Sequence, residues 1–158
     1  MAPNAAKLVH GTAIALQGHA ALIRGPAGAG KSDLALRCLM QPATPLVPQT
    51  AVLIADDQVL VTPEGDRLTL TCPPTIRGLM EVRGIGLMPV PLRDSAELAL
   101  IVDLVSSSEI ERLPEPDEQT DLFGIAVRRI KLTPFEASAP LKLLLGLQGC
   151  VSIEIAAR

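Results

Sequence analysis

The run Gly25-Pro26-Ala27-Gly28-Ala29-Gly30-Lys31-Ser32 has the clearest chemical capacity in this 158-residue chain. Its spacing, G-x-x-x-x-G-K-S, is the Walker A pattern. Such a loop turns successive backbone N–H groups inward around phosphate oxygens, which calls for positive φ that glycine adopts cheaply. A helix beginning near Lys31 would add its positive end to the same anion. Lys31 is spaced to reach the β- and γ-phosphates, and the Ser32 hydroxyl to ligate Mg2+. Chance supplies this pattern in about one chain of this length in 200. Here it also stands between an apolar strand and a helical period, so bound ATP with magnesium is the expectation.

A phosphate loop needs an acidic element to hold the metal or activate the nucleophile. Asp56 and Asp57 end the apolar run Val52-Leu53-Ile54-Ala55, as a Walker B aspartate does. Two acids at a strand end are also common in solvated turns. Neighbours on a strand point to opposite faces, so the two should not share one job. A carboxylate near the metal can accept the proton of an attacking hydroxyl. Glu81, beside Gly84 and Gly86, could act as a ligand where the backbone bends close to something, or be a surface glutamate. Arg83 and Arg112 could clamp phosphate, although surface arginines are the norm. His10 on an alternating strand fits either a catalytic or a structural histidine, and His19 reads as a turn residue.

The elements that must position these residues are mostly strands. Leu8–Leu16 and His19–Arg24 read as a hairpin through Gln17-Gly18, leading directly into the loop. Ser32–Met40 has the helical period, and the proline-rich stretch Gln41–Gln49 is a connecting loop. Ala51–Ala55 is a strand. Val59–Thr62 and Arg67–Thr71 flank Pro63-Glu64-Gly65-Asp66 as a second hairpin. After Pro73-Pro74, Thr75–Leu79 reads as a short helix and Glu81–Val90 as a strand interrupted by glycines. Leu98–Val105 and Gly124–Leu132 are strands on either side of an acidic, exposed Ser106–Asp121. Leu141–Leu147 is a leucine-rich turn or short helix, and Cys150–Ile155 a last strand. Strands joined by turns too short for a crossover imply an α/β fold with a mixed, largely antiparallel sheet and few helices. The length suits one domain, residues 1–158.

Composition narrows the partners. A net charge of -3 leaves no electrostatic footprint for nucleic acid. The longest apolar runs fall short of the roughly 20 residues of a membrane-spanning helix, and no signal-peptide pattern follows the N-terminus. Cys38, Cys72 and Cys150 are too scattered for a disulfide frame or zinc site and read as buried thiols of a reducing compartment, the cytoplasm.

In order along the chain, His10-Gly11, Gly25–Ser32, Ala55-Asp56-Asp57, Pro73-Pro74 and Glu81-Val82-Arg83-Gly84-Ile85-Gly86 resemble the motifs of the HPr kinase/phosphorylase family. The resemblance spans about Leu8 to Ile155 and is similar to that family's catalytic domain alone. It implies an HPr kinase/PEP carboxykinase-like fold and a serine kinase whose acceptor is HPr, a phosphocarrier of the sugar phosphotransferase system. Carried over by motif, Lys31, His10 and Arg112 lie in the active site. Ser32 and Glu81 ligate magnesium with Asp56 beside them, and Asp57 is the general base. Arg83, Gly84 and Gly86 belong to the signature segment. Asp33 stands where the family usually has glutamate, and the Pro42–Gln49 link is longer than usual. Pro134–Pro140 lacks the Arg- and Gly-containing sequence associated there with dephosphorylation, so the reverse phosphorylase reaction is not carried over. The chain ends at Arg158, before the helices that longer members use to contact HPr and neighbouring subunits, which leaves a homo-oligomer open. A small-molecule kinase and a non-catalytic ATP-sensing regulator remain as alternatives; an arginine-dense lid, usual in the former, is missing.

Overall fold

Every residue of Thr12–Leu16 is buried, the mark of a strand covered on both faces. Ala13 and Ala15 join one apolar cluster, and Ile14 and Leu16 the other. The period of two therefore splits a single short strand between two cores. The structure, a computed structural model, describes residues 5–157.

Strands β1 (Lys7–His10), β2 (Thr12–Leu16) and β3 (His19–Arg24) lead into helix α1 (Lys31–Leu39). There follow β4 (Val52–Ala55), the hairpin of β5 (Gln58–Glu64) and β6 (Arg67–Thr71), and the hairpin of β7 (Leu79–Val82) and β8 (Gly86–Pro89). The long β9 (Ser95–Leu104), then β10 (Gln119–Leu122) and β11 (Ile125–Leu132), precede helix α2 (Ala139–Ala157). The main sheet has nine strands. Its path runs β1-β5-β6-β9-β3-β2-β4, with β11 and then β10 branching from the far end of β9. Ser95, Ala96 and Glu97 of β9 pair with β6, whereas Leu100–Leu104 pair with β11. Among the strand pairs of the described residues, those of β9 with β3 and β11 are parallel and the others antiparallel; Leu53 of β4 also makes an isolated parallel bridge with Leu92. One face of this sheet is covered by α1 and α2 through Leu34, Leu143 and Leu147. Its other face curls onto itself, burying Leu22, Ile54, Val61, Leu70 and Ile101 together.

Four local expectations change. The Leu8–Leu16 strand is two, because Gly11 presses on the neighbouring backbone: a Cβ there would lie 2.9 Å from the Ile23 carbonyl oxygen. The chain breaks at this point, so β1 pairs with β5 while β2 pairs with β3 and β4. Thr75–Leu79 is not a helix; a 3-10 turn at Pro74–Ile76 leads into β7. Glu81–Val90 is a hairpin rather than one strand, turning at Arg83–Ile85 with positive φ at Gly84 and Gly86. Cys150–Ile155 is not a strand but part of α2. Leu143, Leu144, Leu147 and Val151 are all buried at helical spacing, and that packing outweighs the strand preference of the β-branched residues around Val151.

Register places the chemistry. Thr12 opposes Ile23, Ala13 opposes Ala55, Arg24 opposes Asp103, and Leu104 opposes Leu132. One edge of the sheet thus collects the start of β2 and the ends of β3, β4, β9 and β11. Ligands of open sheets bind beyond the carboxyl ends of such strands.

Candidate active site

The loop between β3 and α1 has the shape its glycines allow. Gly28 and Gly30 have φ of 78° and 98°. Gly25 is needed for another reason: a Cβ there would stand 3.1 Å from the Ala29 Cβ and 3.3 Å from the Leu104 Cβ. Ala29 N–H donates to the Pro26 carbonyl, closing the turn at 3.1 Å. The Lys31 ammonium donates to the carbonyls of Gly25 and Pro26 at 2.8 and 2.9 Å. It is buried, 6% exposed, and arches over the loop it would share with phosphate.

Asp56 sits at the hub. Its Oδ1 accepts from the Ser32 hydroxyl at 2.6 Å and from the Thr12 hydroxyl at 3.1 Å, and its Oδ2 accepts from the Glu81 N–H at 3.3 Å. Four segments (β2, α1, the end of β4 and β7) converge on one buried carboxylate. Ser32 Oγ and Asp56 Oδ1 form a pair of hard oxygen donors in contact with each other. That donor set suits magnesium, which takes few protein oxygens and completes its shell with phosphate and water.

Asp57 takes the other direction. Its φ of 68° is left-handed, a conformation aspartate tolerates better than most residues. The turn is held by Gly11 N–H donating to the Asp57 carbonyl at 3.0 Å and by Asp57 N–H reaching the Thr12 hydroxyl at 3.4 Å. The Asp57 side chain is 67% exposed, and the His10 Nδ1 lies 3.4 Å from its Oδ1. The two acids therefore face opposite environments, one inward on Ser32 and one outward beside a half-exposed histidine.

The remaining sequence candidates are less closely gathered. Glu81 reaches the hub through its backbone N–H, and its carboxylate is exposed. Arg83, Gly84 and Gly86 form the exposed tip of the β7–β8 hairpin. Arg112 is exposed beyond β9 and makes no hydrogen bond or ion pair to the loop, Asp56 or Asp57. Among the described residues, no cluster of three or more His, Cys, Asp or Glu is arranged as a metal site. None of the thiols hydrogen-bonds a residue of the loop or the acidic pair. Burial raises all three, pushing Cys38 up to about 12, and none is disulfide-bonded. No helix of the described residues is long and apolar enough to cross a membrane.

Sequence reading missed two groups. Thr12 is fully buried and bonds both acids, yet a threonine in a strand gives no signal of that. The second is a charge network at the loop's entry. Arg24 grips Asp103 with Nε and Nη2 at 2.8 and 2.9 Å, and Arg129 Nε reaches the same carboxylate at 2.5 Å. Burial works against the Asp103 charge, but hydrogen bonds and charge from both arginines outweigh it and hold its carboxyl below the usual range. The hydrogen bond to Asp103 correspondingly raises Arg24, against an opposing desolvation.

Comparison with known proteins gives a consistent set of relatives. The family model described as HPr Serine kinase C-terminal domain matches residues 2–145. The HPr kinase/phosphorylase of Cupriavidus metallidurans is 33% identical over 134 residues, covering 78% of this chain and 39% of that protein. That of Bordetella petrii is 35% identical over 140 residues, covering 78% and 41%. The chain thus spans only about two fifths of the length of the curated relatives it matches. A solved structure, the Hpr(Ser) kinase/phosphatase from Coxiella burnetii, superposes with a TM-score of 0.75 at 23% identity, covering 94% of this chain and 99% of that one. At that identity the likeness speaks for the fold.

Proposed function

Because the chain belongs to the HPr serine kinase C-terminal domain family, we propose that it is a kinase transferring the γ-phosphoryl group of ATP, with magnesium, to a serine of an HPr-type phosphocarrier protein. The observation that carries this reading is the division of labour between Asp56 and Asp57. An inward carboxylate already paired with the Walker A serine hydroxyl is suited to magnesium. An outward carboxylate beside it is suited to a proton.

The phosphate loop and Lys31 bind and orient the triphosphate. Ser32 and Asp56 would hold the metal, with Glu81 adjacent; bound magnesium neutralises charge on the phosphate oxygens. Asp57 accepts the proton of the incoming serine hydroxyl as its oxygen bonds to the γ-phosphorus. The bond to the β-bridging oxygen breaks, and ADP leaves. His10 keeps the Asp57 carboxylate pointed outward. Asp57 is open to solvent, which supports a serine on a protein surface over a small acceptor needing an enclosed pocket. The cavities of about 340 and 160 Å³ are lined by other residues, among them Arg67 and Gln119 in one and Glu109 and Lys131 in the other.

Incubation with ATP, magnesium and the host's HPr-like proteins, followed by mass spectrometry, should yield phosphoserine on one of them. Lys31→Ala should abolish it. A preparation that binds ATP yet never labels such a protein would return the site to the small-molecule or ATP-sensing alternatives.

A further inference from the structure

Phe135 is one of two aromatic residues in the chain, and it is 71% exposed. It lies on the connection from β11 to α2, at the sheet edge that holds the phosphate loop. A Cβ placed on Gly30 would stand 3.0 Å from the ring's Cζ and 3.1 Å from its Cε1. The ring's outer edge thus rests on the last glycine of the loop while most of its surface stays open. Its backbone is fastened on both sides. Arg37 of α1 donates to the carbonyls of Pro134 and Glu136, and Lys142 of α2 pairs with the Glu136 carboxylate at 2.8 Å.

The strand order gives this position a direction. Relative to β3, Ser32's partner Asp56 and the outward Asp57 lie at the end of β4, on the β2 side. Phe135 follows β11, on the β9 side. A triphosphate whose γ end points to Asp57 must send its α-phosphate, ribose and base away from β4, toward β11. The only other aromatic residue, Phe123, lies under the Lys7 ammonium, 4.2 Å from its ring centre.

We propose that the open surface of Phe135 is the stacking platform for the nucleobase of the bound triphosphate. This rests on the nucleotide reading above and adds a subsite to it. The ring offers a π-face and no hydrogen bond, so it takes any planar base and discriminates weakly between adenine and guanine.

The test compares Mg–ATP with magnesium tripolyphosphate, which has the phosphates and no base, by calorimetric titration of wild type, Phe135→Ala and Phe135→Trp. Loss of the ring should weaken ATP binding about 5- to 150-fold and leave tripolyphosphate binding unchanged. Phe135→Trp should keep ATP binding. As the only tryptophan in a chain without Trp or Tyr, it should be quenched by ATP and not by tripolyphosphate. Equal ATP affinity in wild type and Phe135→Ala would overturn the subsite while leaving the phosphate loop intact. Equal loss of both ligands would also overturn it, making the ring a prop for the loop. If the wild type bound neither ligand, the nucleotide reading itself would fall, and the subsite with it.

Discussion

Asp56 and Asp57 are neighbours with opposite surroundings, and a single buried hydroxyl connects them. Thr12 donates to the Asp56 carboxylate and accepts from the Asp57 N–H, so it ties the Asp56 side chain to the backbone of the turn that carries Asp57. Thr12→Val keeps the shape and removes both bonds. The buried Asp56 carboxylate would lose one partner, at a cost of about 1–3 kcal/mol, and the Asp57 N–H its long bond to the hydroxyl. Urea unfolding should show that loss, and the proposed phosphotransfer should fall with it. A Thr12→Val protein as stable as wild type would mean that the acidic pair is held by its turn alone. At this scale the sequence was partly legible. The Walker A octet and the acidic pair announce themselves by spacing, because phosphate and metal geometry restrict the residue types. Thr12 does not, because its role exists only once β2 and β4 are paired.

At the scale of elements, strand and turn signals anticipated most of the sheet, since glycine and proline punctuate it sharply. The C-terminal region was misread because Cys150–Ile155 is rich in β-branched residues, whereas it continues helix α2, and the burial of Val151 there depends on surfaces far away in sequence. Helix α2 lies close on the sheet at Gly146, where a Cβ would stand 3.1 Å from Ile130 Cδ1 and 3.4 Å from Leu100 Cδ2. Gly146→Val should force α2 off β9 and β11 and destabilise the fold by about 1–3 kcal/mol. A lowered thermal midpoint would register this. An unchanged midpoint would mean that the helix shifts freely there. In the β7–β8 hairpin, Gly84 and Gly86 mark the turn in sequence, but the bond of the Glu81 N–H to Asp56 exists only once β7 lies against the end of β4.

Across the whole molecule, Asp103 joins the three parallel strands β3, β9 and β11 through Arg24 and Arg129. The folded state holds this carboxyl below its ordinary value, so it binds a proton less readily than the unfolded chain does. Its contribution is therefore complete above the unfolded value of about 3.9 and is lost as pH falls through the folded value. Denaturant titrations at a series of acid pH values should show wild-type stability falling more steeply there than that of Asp103→Asn. The variant should already be weaker at neutral pH, by about 2–4 kcal/mol, with two arginines left facing each other. Parallel pH curves for the two proteins would mean that the Asp103 network adds nothing to stability in this pH range. The network lay beyond sequence reading, because Arg24, Asp103 and Arg129 are brought together only by the register of three strands.

In the proposed reaction Asp57, and not Asp56, takes the proton of an attacking serine. The most direct measurement is single-turnover phosphotransfer from ATP to an HPr-like acceptor by wild type and Asp57→Asn, with ATP affinity measured alongside. Asparagine suits the left-handed turn and leaves the Asp56–Ser32 pair in place. ATP affinity should stay near wild type while the transfer rate falls by about 100- to 10,000-fold. Transfer at the wild-type rate in Asp57→Asn would contradict this role for Asp57.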